Sequence, residues 1–339
     1  MQDSPNGVSP TRGSSRRDFL AASAVSSVML SATLRRAFAA ADIPVRWASL
    51  QPGFTVLPVQ YILANNLGRQ NGLSLPDPAP YTAVSTYYND FVAGNYDVCI
   101  GSWDTFAARY QAGVPIRYLC TITDANMIAL LAPKSGVSDV SQLKGKTIAA
   151  LQSTGTYRMV RALIKEAFSF DIEKDATIQN VDNPAASVTL LMADRADAAL
   201  SWEPNITTGL MKKPDLRVLM RAGDVYEKLS GGLALPYFGV AIRKELADAN
   251  PGIAAKVGKV FEECLAGINA DTAKAVDLFG SKTGVATDTL KEAMGSKRLT
   301  FKYRPMSEDL SRSSILLASE FLARNGLLPK PVDANFFAV

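Results

Sequence analysis

Residues 143–168 read LKGKTIAALQSTGTYRMVRALIKEAF, and their pattern gives the clearest indication of the fold class. Lys146–Leu151 predicts a short strand, and the serine, threonine and glycine that follow it predict a turn. Thr156–Phe168 predicts a helix, because apolar residues recur on one face at Val160, Leu163, Ile164 and Phe168. A strand that passes through a short turn into a helix is the repeating unit of an α/β sheet.

The same unit recurs towards the N-terminus, where Ile43–Leu50 predicts a strand and Leu57–Arg69 a helix. Asp97–Gly101 and Ile116–Ile122 predict two more strands, separated by a helix over Asp104–Ala112. This alternation indicates a mostly parallel sheet with helices on both faces. After about residue 244 the pattern becomes helical, with predicted helices at Pro251–Leu265, Asp271–Leu278, Thr287–Met294 and Ser307–Asn325.

Two segments of the chain are faintly similar. Asp97-Val98-Cys99-Ile100-Gly101 runs into Ser102-Trp103-Asp104, and Asp197-Ala198-Ala199-Leu200-Ser201 runs into Trp202-Glu203. In both, an aspartate opens a strand that ends in a tryptophan and an acid. Because ligands of open α/β sheets bind outside the carboxyl ends of strands, two such ends suggest two lobes that face one cleft. Chance similarity between two ordinary β–α units is the alternative.

The composition narrows the function. The 339 residues include no histidine, so a Ser-His-Asp triad, a Cys-His dyad and a histidine-ligated zinc site are impossible. Acid–base chemistry by carboxylates or lysine stays open. Cys99 and Cys120 lie in apolar runs and indicate small buried residues, with a disulfide between them as the alternative. Cys264 is the third cysteine, and no C-x-x-C pair exists.

The N-terminus resembles an export signal. Arg16-Arg17 precedes an apolar run over Phe19–Leu34, and Ala37-Phe38-Ala39 forms an A-x-A cleavage pattern. The paired arginines predict a twin-arginine signal peptide over residues 1–39 and a periplasmic location. A membrane anchor is the alternative, although the run is shorter than the ~20 residues that span a bilayer. Most of the net charge of +4 belongs to this segment, so the remaining chain is nearly neutral and indicates no nucleic-acid partner.

Several motifs, taken in order, resemble a known family. The stretch Asp97–Gly101 is followed by Ala112-Gly113-Val114-Pro115-Ile116, and Leu143–Ile148 runs into Ser153-Thr154-Gly155-Thr156. Ala193–Ala198 then leads to Trp202-Glu203-Pro204. This order resembles the periplasmic substrate-binding components of ABC transporters for nitrate, aliphatic sulfonates, taurine and the thiamine pyrimidine precursor.

The resemblance implies a two-lobed periplasmic-binding-protein fold of type II. Each lobe would be a mostly parallel sheet flanked by helices, with the ligand cleft between the lobes. Lobe 1 would be discontinuous, comprising residues 42–130 and 236–339, and lobe 2 would comprise residues 131–235. Relatives close around the solute like a hinge.

The turn Ser153-Thr154-Gly155-Thr156 is the first candidate for ligand binding. The unpaired N–H groups and the dipole of a helix start suit an anion, and Gly155 would let the backbone approach it closely. No lysine or arginine lies in this turn, so the interpretation is an anion held by dipoles. Ordinary capping of a helix is the alternative.

The remaining candidates follow other strands. They are Trp202 and Glu203, then Ser102, Trp103 and Asp104, and finally Gly53 and Phe54 after the first strand. The alternative places the tryptophans in the core and the acids at helix caps.

These observations predict an exported solute-binding protein. It would capture a small organic anion, sulfonate-, nitrate- or taurine-like, in the cleft and deliver it to the permease of an ABC importer. We expect a monomer that has no enzymatic activity and needs no cofactor or metal. An exported enzyme that uses carboxylates such as Glu203 and Asp104 is the alternative, as is a binding-only sensor on the same fold.

Overall fold

The computed structural model describes residues 42–338. The predicted signal peptide, residues 1–39, lies outside the described residues. Within residues 42–338, no helix is sufficiently long and apolar to cross a membrane. The same part of the chain contains no cluster of Cys, Asp or Glu side chains placed to hold a metal ion.

The larger of the two main sheets, called here sheet 2, has five strands. In spatial order they are Leu216–Arg221, Ile128–Pro133, Ala198–Trp202, Thr147–Ala150 and Thr177–Asn180. The three central strands are almost entirely buried, because helices cover the sheet. These helices are Gly155–Phe168, Ile172–Asp175, Pro184–Met192, Asn205–Lys212 and Ala222–Leu229.

The other large sheet, sheet 1, has four strands in the order Arg304–Pro305, Ile116–Thr121, Phe238–Arg243 and Val98–Ser102. A parallel bridge from Trp47 to Val98 extends it. Two short parallel pairs precede it in the chain, Ile43–Pro44 with Leu73–Ser74 and Ala48–Leu50 with Ala79–Tyr81.

Within residues 42–338, nine helices belong with sheet 1 and its neighbours. They are Val56–Ala64, Leu67–Gln70, Val84–Ala93, Trp103–Gln111, Lys244–Ala249, Ile253–Ala270, Thr272–Phe279, Thr287–Gly295 and Asp309–Arg324. Short 3-10 turns lie at Ala125–Met127, Val140–Leu143, Gly280–Thr283 and Ala334–Phe336.

The predicted α/β class, with sheets flanked by helices, is confirmed, but three strands depart from a mostly parallel arrangement. One is the short strand Arg304–Pro305, which runs antiparallel to Ile116–Thr121. Ile128–Pro133 runs antiparallel to both of its neighbours in sheet 2, and Phe238–Arg243 does the same in sheet 1. Each of these two strands is reached from the other sheet, Ile128–Pro133 after the 3-10 turn Ala125–Met127 and Phe238–Arg243 after the helix Ala222–Leu229. It therefore starts at the edge where the other strands end, and its direction is reversed.

The chain changes sheet twice. The first change falls between Thr121 and Ile128, and the second between Arg221 and Phe238. The predicted boundary at residue 130 would divide the strand Ile128–Pro133, which lies wholly in sheet 2. The assignment of whole lobes stays a prediction.

Two local expectations can be compared directly with the structure. The helix predicted over Leu57–Arg69 is broken, because Asn66 adopts the left-handed φ of 52° between Val56–Ala64 and Leu67–Gln70. All three cysteines are buried and unoxidised, so the alternative of a disulfide between Cys99 and Cys120 is wrong.

Candidate functional site

The carboxyl ends of strands from both sheets meet at a cavity of about 190 Å³, called here the inner chamber. Ser102 ends a strand of sheet 1 and Trp202 ends a strand of sheet 2, and both line the chamber. The turn Ser153–Thr156, which follows a further strand of sheet 2, completes this side of the wall. The position agrees with the general rule for ligand sites of α/β sheets.

The turn caps the helix Gly155–Phe168. The Thr154 hydroxyl accepts a hydrogen bond from the Tyr157 backbone N–H at 3.3 Å and donates one to the Leu151 carbonyl at 2.8 Å. The Thr156 hydroxyl forms a short hydrogen bond with the hydroxyl of Tyr237, which belongs to the segment returning to sheet 1. Both of these hydroxyls therefore have protein partners, so what the turn offers a ligand is the exposed Ser153 hydroxyl and the positive end of the helix dipole.

Gly155 makes room for a protein side chain. A Cβ atom at this position would overlap the carboxylate of Asp104. Asp104 lies in the helix Trp103–Gln111, which directly follows the strand Val98–Ser102 of sheet 1. The sequence predicted that this glycine would allow a ligand to approach the backbone. In the structure, the closely approaching group is Asp104.

Asp104, predicted to line the ligand site, lies behind the wall of the chamber in the structure. Its side chain is fully buried and does not line the chamber, because its carboxylate forms an ion pair with Arg158 at 3.2 Å. The same Arg158 nitrogen donates to the Thr105 hydroxyl at 3.3 Å. Asp104 Oδ1 and Arg158 Nε are buried without hydrogen-bond partners, so this ion pair is only partly satisfied.

Glu203 is a second predicted site residue that does not line the chamber. It is fully buried directly behind Trp202 and accepts hydrogen bonds from the Thr207 N–H at 3.1 Å and the Thr207 hydroxyl at 2.9 Å. Arg298 Nε forms an ion pair with it at 2.8 Å. Burial raises the pKa of Glu203 above its usual range, while Thr207 and Arg298 lower it. Its role is to hold Arg298, and it does not reach the chamber.

Trp103 is the third correction. Its side chain is fully buried, and its indole N–H donates to the Pro236 carbonyl at 2.9 Å. The preceding residue, Ser102, is the one that lines the chamber, and its hydroxyl donates to the Thr105 hydroxyl at 2.8 Å. Trp103 therefore belongs to the core, as the alternative interpretation of the sequence had it.

Arg109 is the principal residue that the sequence analysis missed. It lines the inner chamber, and its guanidinium carbon lies 4.8 Å from the centroid of the Tyr88 ring. Within residues 42–338 its side chain forms no ion pair with a carboxylate, and burial lowers the pKa of Arg109. It follows Thr105 by one helical turn, so the two share a face. A cation that the sequence analysis did not consider therefore lines the chamber, carried by the helix Trp103–Gln111.

A second cavity of about 540 Å³, the outer chamber, adjoins the first. Gly53 and Phe54 line it, as does Trp202, which is shared by both chambers. The rings of Phe54 and Phe238 pack edge to face, with centroids 5.1 Å apart. Of the predicted residues, the structure thus brings six to the inner wall and two to the outer wall, namely Ser102, Ser153, Thr154, Gly155, Thr156, Trp202, Gly53 and Phe54.

Part of the chain matches the model of a known protein family. Residues 60–226 match the model of the family described as NMT1/THI5 like. This segment is similar to that family and is called here the NMT1/THI5-like domain. The NMT1/THI5-like domain supplies Arg109, the turn Ser153–Thr156 and Trp202 to the inner chamber. Gly53 and Phe54 in the outer chamber lie before it.

Solved structures of similar fold cover most of the chain. The alkanesulfonate-binding protein SsuA of Xanthomonas axonopodis pv. citri, bound to MOPS, is 18% identical with a TM-score of 0.69, covering 86% of this chain and 96% of that one. The periplasmic aliphatic sulphonate binding protein SsuA of Escherichia coli is 17% identical with a TM-score of 0.70, covering 87% and 92%.

A Candida albicans gene product described as having the generic periplasmic binding protein fold is 15% identical, with a TM-score of 0.62, and covers 87% and 92% of the two chains. No curated protein sequence matches the chain significantly. The fold inferred from the sequence resemblance is therefore confirmed.

Proposed function

We propose that the chain is an exported solute-binding protein that captures an organic anion and delivers it to an ABC importer. The observation that carries the proposal is the inner chamber. It lies where strands of two sheets end, and its wall holds Arg109 and the start of the helix Gly155–Phe168. No carboxylate is among the residues described on that wall.

The electrostatics of this wall favour an anion. The helix N-terminus contributes roughly 0.3–1 kcal/mol to binding a negative group at an exposed site, and up to ~2 kcal/mol when the site is partly buried. A hydrogen bond from a charged group such as Arg109 contributes about 1.5–3 kcal/mol. Arg109 belongs to a helix that follows a strand of sheet 1, and the helix Gly155–Phe168 follows a strand of sheet 2. An anion that contacts both would therefore draw the two sides of the chamber together.

Export and delivery extend the same proposal. The paired arginines Arg16 and Arg17 support export through the twin-arginine route and a periplasmic location. The similarity in fold to periplasmic sulphonate-binding proteins supports an ABC permease as the membrane partner. A monomer that opens and closes about the two connections between its sheets suits this task.

The alternative of a carboxylate-dependent enzyme finds less support in the geometry. It needs Asp104 and Glu203 at the wall of the chamber, whereas both are fully buried behind it. Each also forms an ion pair, Asp104 with Arg158 and Glu203 with Arg298. A carboxylate held in this way positions an arginine and is not available to a substrate.

Calorimetric titration of the mature protein with butanesulfonate and with butanoate tests the proposal. We expect one anion to bind to the parent protein, and the Arg109→Gln variant to bind it at least about tenfold more weakly, because a charge-assisted hydrogen bond is lost. Arg195→Gln is the matched control, since Arg195 is exposed and lines neither chamber. Binding of neither anion, or equal affinity in Arg109→Gln, would contradict the proposal.

A further inference from the structure

The two chambers form one continuous cleft. Residues shared by both walls surround the opening between them, namely Leu50, Thr55, Val84, Trp202 and Phe238. The inner chamber, at about 190 Å³, is smaller than the roughly 300–1,000 Å³ usual for small-molecule pockets. The outer chamber, at about 540 Å³, falls within that range. A ligand that used only the inner chamber would leave the larger space empty.

The outer chamber differs from the inner one in chemistry. Half of its lining residues are prolines, alanines, valines and aromatic residues, including Pro52, Phe54, Pro184 and Val285, and its surface is mostly apolar although threonines and asparagines also contribute. Among the described lining residues only Lys212 carries a charge, and it is exposed. Positive and polar groups thus meet the ligand at the inner end, while apolar surface meets it at the outer end.

Two of the segments that build the outer chamber lie outside the NMT1/THI5-like domain. One contains Pro52 and Phe54, and the other contains Val285. The segments are tied together, because the Gly53 N–H donates to the Thr283 carbonyl at 3.0 Å. The adjacent Gly284 has a φ of 72° and packs against Pro52. This chamber is therefore built partly by the matched family domain and partly by the chain outside it.

We propose that the ligand is an amphipathic organic anion whose head group occupies the inner chamber and whose apolar tail, a ring or about six carbons, fills the outer chamber. The inference rests on the proposed function and narrows it. Nitrate, taurine and other small anions would occupy the inner chamber alone, so they would bind more weakly than an anion with a tail.

The physical reason is burial of apolar surface. Each methylene transferred from water into the outer chamber strengthens binding by about 0.8 kcal/mol, which corresponds to about a fourfold gain in affinity. The gain continues until the chamber is full. Trp202 and Phe238 flank the opening, so the first methylenes beyond the head group would pass between their rings.

Calorimetric titration with a homologous series tests the inference. We expect affinity to rise by roughly threefold to fourfold per methylene from methanesulfonate through butanesulfonate to hexanesulfonate, and to level off towards octanesulfonate as the chamber fills. The corresponding carboxylates, from acetate to octanoate, form a second arm that distinguishes the two head groups. In both arms the tail should govern affinity.

Filling the outer chamber gives a variant test. In Ala185→Phe, which adds a ring to the outer wall, octanesulfonate should bind at least about tenfold more weakly while methanesulfonate binds as before. Ala286→Phe acts on the opposite side of the same chamber and serves if Ala185→Phe does not fold. Ala249→Phe is the matched control, because Ala249 is also exposed on a helix but lines neither chamber.

The outcomes separate this inference from the proposed function. Tight binding of methanesulfonate with no dependence on tail length would overturn the inference and leave the proposed function intact. Equal loss of short and long anions in both filling variants would also overturn it. Failure of every anion in both arms to bind would overturn the proposed function as well.

Discussion

The strand ends at Val98–Ser102 and Ala198–Trp202 resemble each other in sequence and can be compared position by position. Asp97 and Asp197 precede them and make the same contacts. The Asp97 N–H donates to the Arg46 carbonyl at 2.8 Å, and its carboxylate accepts from the Arg46 N–H at 3.0 Å. Asp197 does the same with Thr147, at 2.9 and 2.8 Å. The two strands therefore begin in the same local structure, one in each sheet.

The same equivalence holds at the carboxyl ends, although the residue types differ. Ser102 and Trp202 are each the last residue of their strand, and both line the inner chamber. Trp103 and Glu203 come next, and both are fully buried. In both sheets the last residue of the strand thus lines the chamber and the first residue beyond the strand is buried, although the types of side chain differ.

The largest expected effect concerns the buried aromatic residue. Trp103→Ala removes a fully buried side chain and its hydrogen bond to Pro236, and we expect the free energy of unfolding to fall by about 3–5 kcal/mol. Denaturant titration measures this change. Trp202→Ala, at a partly exposed position, should cost much less. Equal losses in the two variants would break the distinction between a core and a wall tryptophan.

The buried acid gives the next effect. Arg298→Met leaves the Glu203 carboxylate without its ion-pair partner, and we expect a loss of about 3 kcal/mol at pH 8. The loss should be smaller at pH 5. Burial already raises the pKa of Glu203, and removing Arg298 raises it further, so the carboxyl becomes neutral as the pH falls.

Proton linkage explains why the loss of stability in Arg298→Met should be larger at pH 8 than at pH 5. A carboxyl whose pKa is raised by folding disfavours the folded state progressively as pH rises from its usual range through the folded value. Thermal or denaturant unfolding at both pH values checks this, with Arg195→Met as an exposed control. A loss that is the same at pH 5 and pH 8 would show that Glu203 is not the group responsible.

The smallest effect belongs to the serine that takes the place of Trp202 in sheet 1. Ser102→Ala removes a hydroxyl that donates to Thr105, and we expect affinity for hexanesulfonate to fall by about twofold to tenfold. Stability should change by no more than ~1 kcal/mol. Calorimetry on this variant sharpens the comparison. An unchanged affinity would mean that Ser102 supports the wall without affecting the ligand.

The sequence predicted the strand–turn–helix units well, since hydrophobic period and capping residues are local signals. It therefore located the turn Ser153–Thr156 and the two strand ends. It named Ser102 and Trp202 but could not separate them from the residues that follow, because a shift of one residue exchanges a wall position for a buried one. Trp103 and Glu203 were assigned to the wall for this reason.

The two buried ion pairs could not be predicted from the sequence for a different reason. Arg158 contacts Asp104 across 54 residues, and Arg298 contacts Glu203 across 95, so no local pattern reports them. Arg109 was missed because helical spacing shows that it shares a face with Thr105 but does not show what that face meets. Only the packing of the helix Trp103–Gln111 against the cleft supplies that information.

The most direct test of the account is a fluorescence titration with hexanesulfonate. The chain has three tryptophans, and only Trp202 lines the cleft, while Trp47 and Trp103 are buried. We predict that ligand changes the emission of the parent protein and that the change disappears in Trp202→Phe, although calorimetry still detects binding. An emission change that persists undiminished in Trp202→Phe would contradict the claim that the ligand binds where these strands end.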